Sequence, residues 1–188
     1  MAIGRALGRL VFHAVPKRRH VAERNLEICF PDMSDADRQT LARAQFESLG
    51  MGVIELGMSW WLSDAEINRL CEGSGTEHLL AALEQGKGAI LLSAHFSSTE
   101  ITGRLVRQRT PPLAAMYRPS KNPLNDQIMR RVRRRSVAEL ITKDSIRSLL
   151  KTLKQNKTVW YAADQAYDRR GTVLADFFGE PATTNTAT

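Results

Sequence analysis

The chain has 188 residues, enough for one well-packed core with a helical appendage and too few for two full domains. Its 43% hydrophobic and 25% charged content are ordinary for a folded protein and exclude wholesale disorder. With 27 lysines and arginines against 20 acidic residues the net charge is +7, which favours an anionic partner (phospholipid, phosphate, nucleic acid or acidic protein) without choosing among them.

The opening, MAIGRALGRLVFHAVPKRRH, puts Ile3, Ala6, Leu7, Leu10, Val11 and Ala14 at helical spacing. Arg5 and Arg9 lie off that stripe, and a basic cluster from Lys17 to His20 follows Pro16. This predicts a short amphipathic helix. Its stripe either docks on the protein's own core or lies in a membrane interface, where each basic residue near anionic lipid adds about 1 kcal/mol. Ser34 with Asp37 three residues on starts another helix, with Leu41, Ala44, Gln45 and Leu49 as its stripe up to Gly50. GMGVIELGMSWWL, residues 50–62, is apolar on nearly all sides, the pattern of a buried segment or, if exposed, of a lipid-facing patch. Ser63 and Glu66 form a capping box that opens a helix toward Cys71.

From residue 75 the period changes. A helix carrying Leu79, Leu80 and Leu83 ends at the Gly86–Gly88 turn, and AILLS (89–93) follows as a buried strand. A helix over 98–109 is stopped by Pro111 and Pro112, and LAAMY (113–117) is the next strand. Asn122–Pro123 caps and starts a helix to about residue 134. Residues 137–141 make a weak strand, Asp144 caps a helix over 146–154, and TVWYAA (158–163) is the clearest strand of all. PATTNTAT reads as a small, polar tail. Strands alternating with helices predict an α/β fold: a mixed, largely parallel sheet covered by helices, over 73–188, behind a helical region at 1–72. Cys29 and Cys71 form no CxxC pair, so they suit a reducing compartment as small buried side chains rather than a zinc site. No apolar run of about 18 residues marks a spanning helix, and the start lacks the unbroken apolar core of a signal peptide.

His95, Arg118 and Asp164 each come one or two residues after a predicted strand, and ligand sites of open α/β sheets gather beyond the carboxyl ends of strands. In LLSAHFSSTE (91–100), His95 falls in the strand-to-helix turn and Glu100 in the first turns of the helix. Helical side chains lean toward the N-terminus, so Glu100 is able to reach back to the imidazole, fix its tautomer and leave the other nitrogen free as a base. On spacing alone a structural histidine at a strand end remains the competing reading. Asp164 and Gln165 read equally as turn residues, and Phe177 and Phe178 read most simply as core packing. HExxH, GxSxG, GxxxxGK[ST] and a strand-linked GxGxxG are all absent.

HFSSTE, YRPSKNPLND, the RRVRRR run, WYAADQ and FFGEPATTNTAT, in this order, resemble the lipid A biosynthesis late acyltransferases, whose His-x4-Asp/Glu motif is shared with glycerolipid acyltransferases. RRHVAERNLEICFPDMS resembles the segment that precedes their helical region. The resemblance implies transfer of a fatty acyl group from acyl carrier protein or acyl-CoA to a hydroxyl of a lipid A precursor, at the cytoplasmic face of the bacterial inner membrane. His95 would deprotonate the acceptor, Glu100 would orient His95, and no acyl-enzyme, metal or cofactor is implied. Arg118, Arg133, Asp164 and Gln165 match positions that the resemblance implies are functional, and they are read as substrate-binding residues, the arginines through substrate phosphate or carbonyl groups. Members are longer and begin with a spanning helix, so a truncated member, bound peripherally to an anionic membrane surface and either active or an inactive remnant, is expected.

Arg130, Arg131, Arg133, Arg134 and Arg135 read as a solvated face complementing a helix dipole, with one or two turned inward to bind phosphate. Nucleic-acid binding is the rival reading, and the low aromatic content, 6%, with no RNP-like or zinc-finger pattern, argues against it.

Overall fold

The computed structural model describes residues 1–165 and 172–185; the last three residues of the PATTNTAT stretch lie outside the described range. By contacts the chain forms two units, one of residues 1–57 with 164–188 and one of residues 58–163.

The first unit begins with α1 (Ala2–Ala14), which ends at Val15 where Pro16 starts α2 (Pro16–Cys29). Proline at the first helical position costs nothing because that amide has no partner in any case. Ser34 then opens α3 (Asp35–Trp61), its hydroxyl accepting from the Asp37 amide at 3.2 Å and donating to the Asp37 carboxylate at 2.7 Å. The buried face of α1 is Gly4, Gly8 and Phe12, and not the apolar stripe read from the sequence. Ile3, on that stripe, is 76% exposed, with Leu10 and Val11 exposed beside it. On α3 up to Gly50 the buried positions are Ala42, Phe46 and Gly50, whereas Leu41 and Leu49 face outward.

Both corrections have one cause. The two helices meet backbone to backbone: a methyl group on Gly8 would sit 2.1 Å from the Phe46 carbonyl oxygen, and one on Gly50 would sit 2.1 Å from the carbonyl of Gly4. Close approach through small residues selects the glycine face and turns the larger apolar side chains away. Phe12 and Phe46 close the contact edge to face at 5.3 Å, with Ala22 and Leu26 of α2 packed against them.

Also in this unit, the tail expected from PATTNTAT is a strand. β5 (Thr172–Phe177) and β6 (Glu180–Asn185) pair antiparallel; they are numbered after the four strands described next. Phe178 and Gly179, at φ 56° and 80°, make the two-residue turn, a conformation whose twist matches hairpin strands. Phe177 and Phe178 are more than half exposed, against the expectation of core packing, although Phe178 meets Phe30 at 5.1 Å.

The second unit is an α/β layer. α4 (Asp64–Leu70) starts at the Ser63–Glu66 capping box, with both reciprocal bonds made. α5 (Thr76–Glu84) leads to β1 (Ala89–Ser93), then α6 (Thr99–Arg107), β2 (Ala114–Tyr117), α7 (Pro123–Arg133), β3 (Glu139–Thr142), α8 (Ile146–Lys154) and β4 (Thr158–Ala162). The N-cap of α8 falls on Ser145, one residue beyond the expected Asp144. The four strands are parallel, in the order β1-β4-β2-β3.

On one face of the sheet, Leu149 and Leu153 of α8 pack on Ala114, Ile141 and Val159. On the other face Val106 of α6 joins Leu91, Ala115, Leu140 and Trp160. Gly103 lets α6 lie on the Trp160 ring: an added methyl would be 3.2 Å from it. A third cluster of Ile67, Ile101 and Leu105 ties α4 to α6. Each fully buried aliphatic side chain of this kind contributes about 1.5–3 kcal/mol. β1 is not the buried strand that AILLS suggested. It is the edge of this sheet, and Leu92 is 65% exposed on the same side as an exposed Ile90. Among the described residues, no helix is long and apolar enough to cross a membrane.

Candidate active site

Because the strands are parallel, their carboxyl ends share one edge of the sheet, and the residues that follow them are presented there. His95 is two residues past β1, exposed, in the turn before α6. That turn is tight. The Phe96 amide donates to the Ala94 carbonyl at 3.0 Å, and the Thr99 amide and hydroxyl both donate to the Phe96 carbonyl, at 3.2 and 2.6 Å. Arg118 directly follows β2 and is exposed. The ladder between β2 and β4 has two register pairs and stops at Ala115↔Trp160, while β1 and β4 stay paired to Ser93↔Ala162. Asp164 and Gln165 follow β4 by two and three residues, are exposed, and belong by contacts to the first unit.

Glu100 stands in the first turn of α6, where a carboxylate complements the positive end of the helix dipole. Its Oε1 accepts from two N–H groups of Arg133, Nε at 2.9 Å and Nη2 at 2.8 Å. Arg133 comes from the last turn of α7, 33 residues away in sequence, so two loops must be correctly folded for the pair to form. The side chains are 16% exposed for Glu100 and 32% for Arg133. A guanidinium donating twice to one oxygen anchors that oxygen and leaves Oε2 with no hydrogen bond among the described residues.

Of the predicted site residues, then, direct contact joins Glu100 to Arg133. The imidazole–carboxylate bond suggested by the five-residue spacing is not among the hydrogen bonds Glu100 makes here. Of the five clustered arginines, Arg133 turns inward to a carboxylate, and Arg130 lies over the Tyr117 ring at 5.9 Å with a long contact to Asp126.

A residue that the sequence reading missed is Arg104, one turn after Glu100 on α6. It is buried, donates to the carbonyls of Ser59 (2.7 Å) and Leu62 (3.0 Å), and pairs with Asp64. A signal was present: Ile101, Arg104 and Leu105 share the apolar face of the helix, and a charge there requires partners.

The family model described as bacterial lipid A biosynthesis acyltransferase matches residues 1–188. A lipid A biosynthesis lauroyltransferase of Escherichia coli (strain K12) is 36% identical over 187 residues, 99% of this chain and 61% of that protein. A palmitoleoyltransferase of the same organism is 35% identical over 97% of this chain and 60% of its own. A lipid A biosynthesis acyltransferase of Haemophilus influenzae is 34% identical over 98% of this chain and 59% of its own. The chain thus spans about three fifths of the length of these relatives. It belongs to the bacterial lipid A biosynthesis acyltransferase family.

Proposed function

We propose that the chain carries the catalytic machinery of an acyltransferase. A fatty acyl group passes from an acyl thioester, on acyl carrier protein or coenzyme A, to a hydroxyl of a lipid A precursor. His95 takes the hydroxyl proton as the oxygen attacks the thioester carbonyl; the tetrahedral intermediate collapses, the C–S bond breaks, and the imidazolium returns the proton to the sulfur, which leaves as the thiol. No acyl-enzyme is needed, since the acceptor itself is the nucleophile.

The observation that carries this reading is the Glu100–Arg133 pair at the start of the helix that follows His95 in the chain. Arg133 holds one carboxylate oxygen and leaves the other available at the start of the helix that His95 precedes. We assign Oε2 as the acceptor of the imidazole N–H in the substrate complex, where catalytic contacts tighten relative to the free enzyme. Glu100 then fixes the tautomer and stabilises the imidazolium that forms. Arg133 acts as a positioning residue. Ser98, the N-cap of α6, makes no side-chain cap bond, and the Glu100 and Ile101 amides of that first turn are assigned to the developing oxyanion. Arg118, Asp164 and Gln165 are assigned to substrate binding.

For the acceptor to be reached, the protein works as a peripheral protein at the cytoplasmic face of the inner membrane. The exposed Ile3, Leu10 and Val11 of α1, flanked by Arg5, Arg9 and the exposed Lys17 and Arg18, are the supporting surface.

The test is incubation of the chain with an acyl thioester and a panel of acceptors: a lipid A precursor, another glycolipid and a lysophospholipid. An acyl ester on the lipid A precursor, identified by mass spectrometry, is expected. Product only on another acceptor overturns the lipid A assignment, and no product on any acceptor overturns the reading of this chain as active.

A further inference from the structure

Around the junction of α3 and α4 is a shallow cavity, wide open to solvent, of about 410 Å³, lined by Trp61, Ser63, Asp64, Arg104, Arg107 and Arg135, with Leu62 and Glu66 beside them. Its two carboxylates are already committed. Asp64 is paired with the buried Arg104. Glu66 accepts from the Ser63 amide at 2.8 Å and hydroxyl at 2.6 Å, which holds its carboxyl below the ordinary range.

Arg107 and Arg135 are different. Arg107 Nη1 donates to the Arg135 carbonyl at 2.5 Å, and Arg135 Nη1 donates to the Trp60 carbonyl. Neither guanidinium has a carboxylate partner among the described residues. Each spends one of its five N–H donors on the backbone, which anchors it and leaves the remaining fork unspent. Three arginines against two carboxylates give the lining a net charge of one positive. At the rim stands Trp61, 80% exposed. A large apolar ring with a polar N–H, left in solvent beside anchored arginines, suits the boundary between water and lipid.

We propose that this cavity binds a phosphate group carried by an amphiphile, with Arg107 and Arg135 as the ligands and Trp61 in the adjoining apolar layer. Guanidinium forks match phosphate oxygens in pairs; the charge of Asp64 is offset by Arg104, and the two unpaired guanidiniums outweigh the one remaining anion, Glu66. The cavity is distinct from the Glu100–Arg133 pair: Arg107 is seven residues, or about 10 Å of helix, beyond Glu100. The proposal therefore stands whether or not the acyl-transfer reading holds.

Trp61 supplies the probe, since Trp160 is buried and Trp60 half-buried. The protein is titrated with phosphatidylcholine vesicles with and without phosphatidylglycerol, and separately with inorganic phosphate, while tryptophan emission is followed. Vesicles containing phosphatidylglycerol should shift the emission to shorter wavelength, and Trp61→Phe should remove most of that shift. The double variant Arg107→Gln/Arg135→Gln should raise the midpoint about tenfold. Lys151→Gln/Lys154→Gln, which removes the same charge from exposed positions of α8, should change it less than about threefold. Arg107→Lys, which keeps the charge and loses the fork, should fall between, and it serves as the test if the double variant does not fold. Equal effects from the two double variants would reduce the binding to overall charge and overturn the proposal. Saturation by inorganic phosphate at the same phosphate concentration would overturn the assignment to an amphiphile.

Discussion

Arg133→Gln removes both donors to Glu100 Oε1, at 2.9 and 2.8 Å, and leaves the carboxylate half-buried without its partner. Hydrogen bonds to charged groups contribute about 1.5–3 kcal/mol. The partial exposure of the pair, 32% and 16%, screens it, so the expected loss lies at the low end, about 1.5–2 kcal/mol. At about 1.4 kcal/mol per factor of ten, that is roughly a 10- to 30-fold fall in kcat/KM. The distribution of the loss carries the information. If Arg133 acts by holding Glu100, the fall appears in kcat, and adding Arg133→Gln to Glu100→Gln costs little more than Glu100→Gln alone. Steady-state acyl-transfer kinetics on the four proteins of this cycle provide the assay. A raised KM with unchanged kcat, or losses that multiply in the double variant, would mean that Arg133 meets substrate independently of Glu100 and would refute the positioning role.

Gly50→Ala should destabilise the first unit by about 1–3 kcal/mol, because the new methyl meets the backbone of α1 and not a movable side chain. The exposed Ala44→Gly on the same helix sets the scale, costing about 1 kcal/mol through propensity alone, so denaturant unfolding should show glycine preferred at one position and alanine at the other. Arg104→Met should lower stability by about 2 kcal/mol or more by thermal unfolding, since the Ser59 and Leu62 carbonyls lose their donor and Asp64 its counter-ion. The Glu66 carboxyl, lowered first by the Ser63 hydroxyl and then by the Ser63 amide, should titrate by NMR below an unperturbed glutamate. Since its folded pKa is depressed, the capping contribution is present above the ordinary glutamate range and is lost as pH falls through the folded value; Ser63→Ala should bring the titration back up.

Much of the second unit was legible because its signals are local. Asn122 accepts from the amides of Leu124 and Asn125 ahead of Pro123, and Ser63 with Glu66 makes a complete capping box, as those residue pairs predict. The strand positions followed from short apolar runs bounded by glycine and proline, but their burial did not. Whether AILLS lies inside or at the edge depends on strand order, and β4 enters between β1 and β2 only through long-range pairing. In α1 and α3 the helices were visible and their faces were misread, since a hydrophobicity count gives glycine no weight while Gly4, Gly8 and Gly50 decide the approach. The hairpin of β5 and β6 was hidden because its turn uses Phe178 at positive φ, where asparagine or aspartate would have marked it.

The candidate site was legible as a place and only partly as a set of contacts. Residues at the carboxyl ends of β1 and β2 follow from the alternation of strands and helices. The Glu100–Arg133 pair does not follow from any local pattern: the two residues are 33 apart, and five arginines compete for the role. Arg104 was obscured for the opposite reason, an arginine among apolar neighbours whose three partners come from the end of α3 and the start of α4.

The reaction assigned to His95 is tested most directly by the rate of acyl transfer in His95→Ala, measured with thioester and acceptor both saturating and with thermal unfolding as a check on the fold. Loss of the base predicts a rate lower by about 10²- to 10⁴-fold at an unchanged unfolding temperature. A rate within a few-fold of the unsubstituted chain would show that the imidazole does not take the proton.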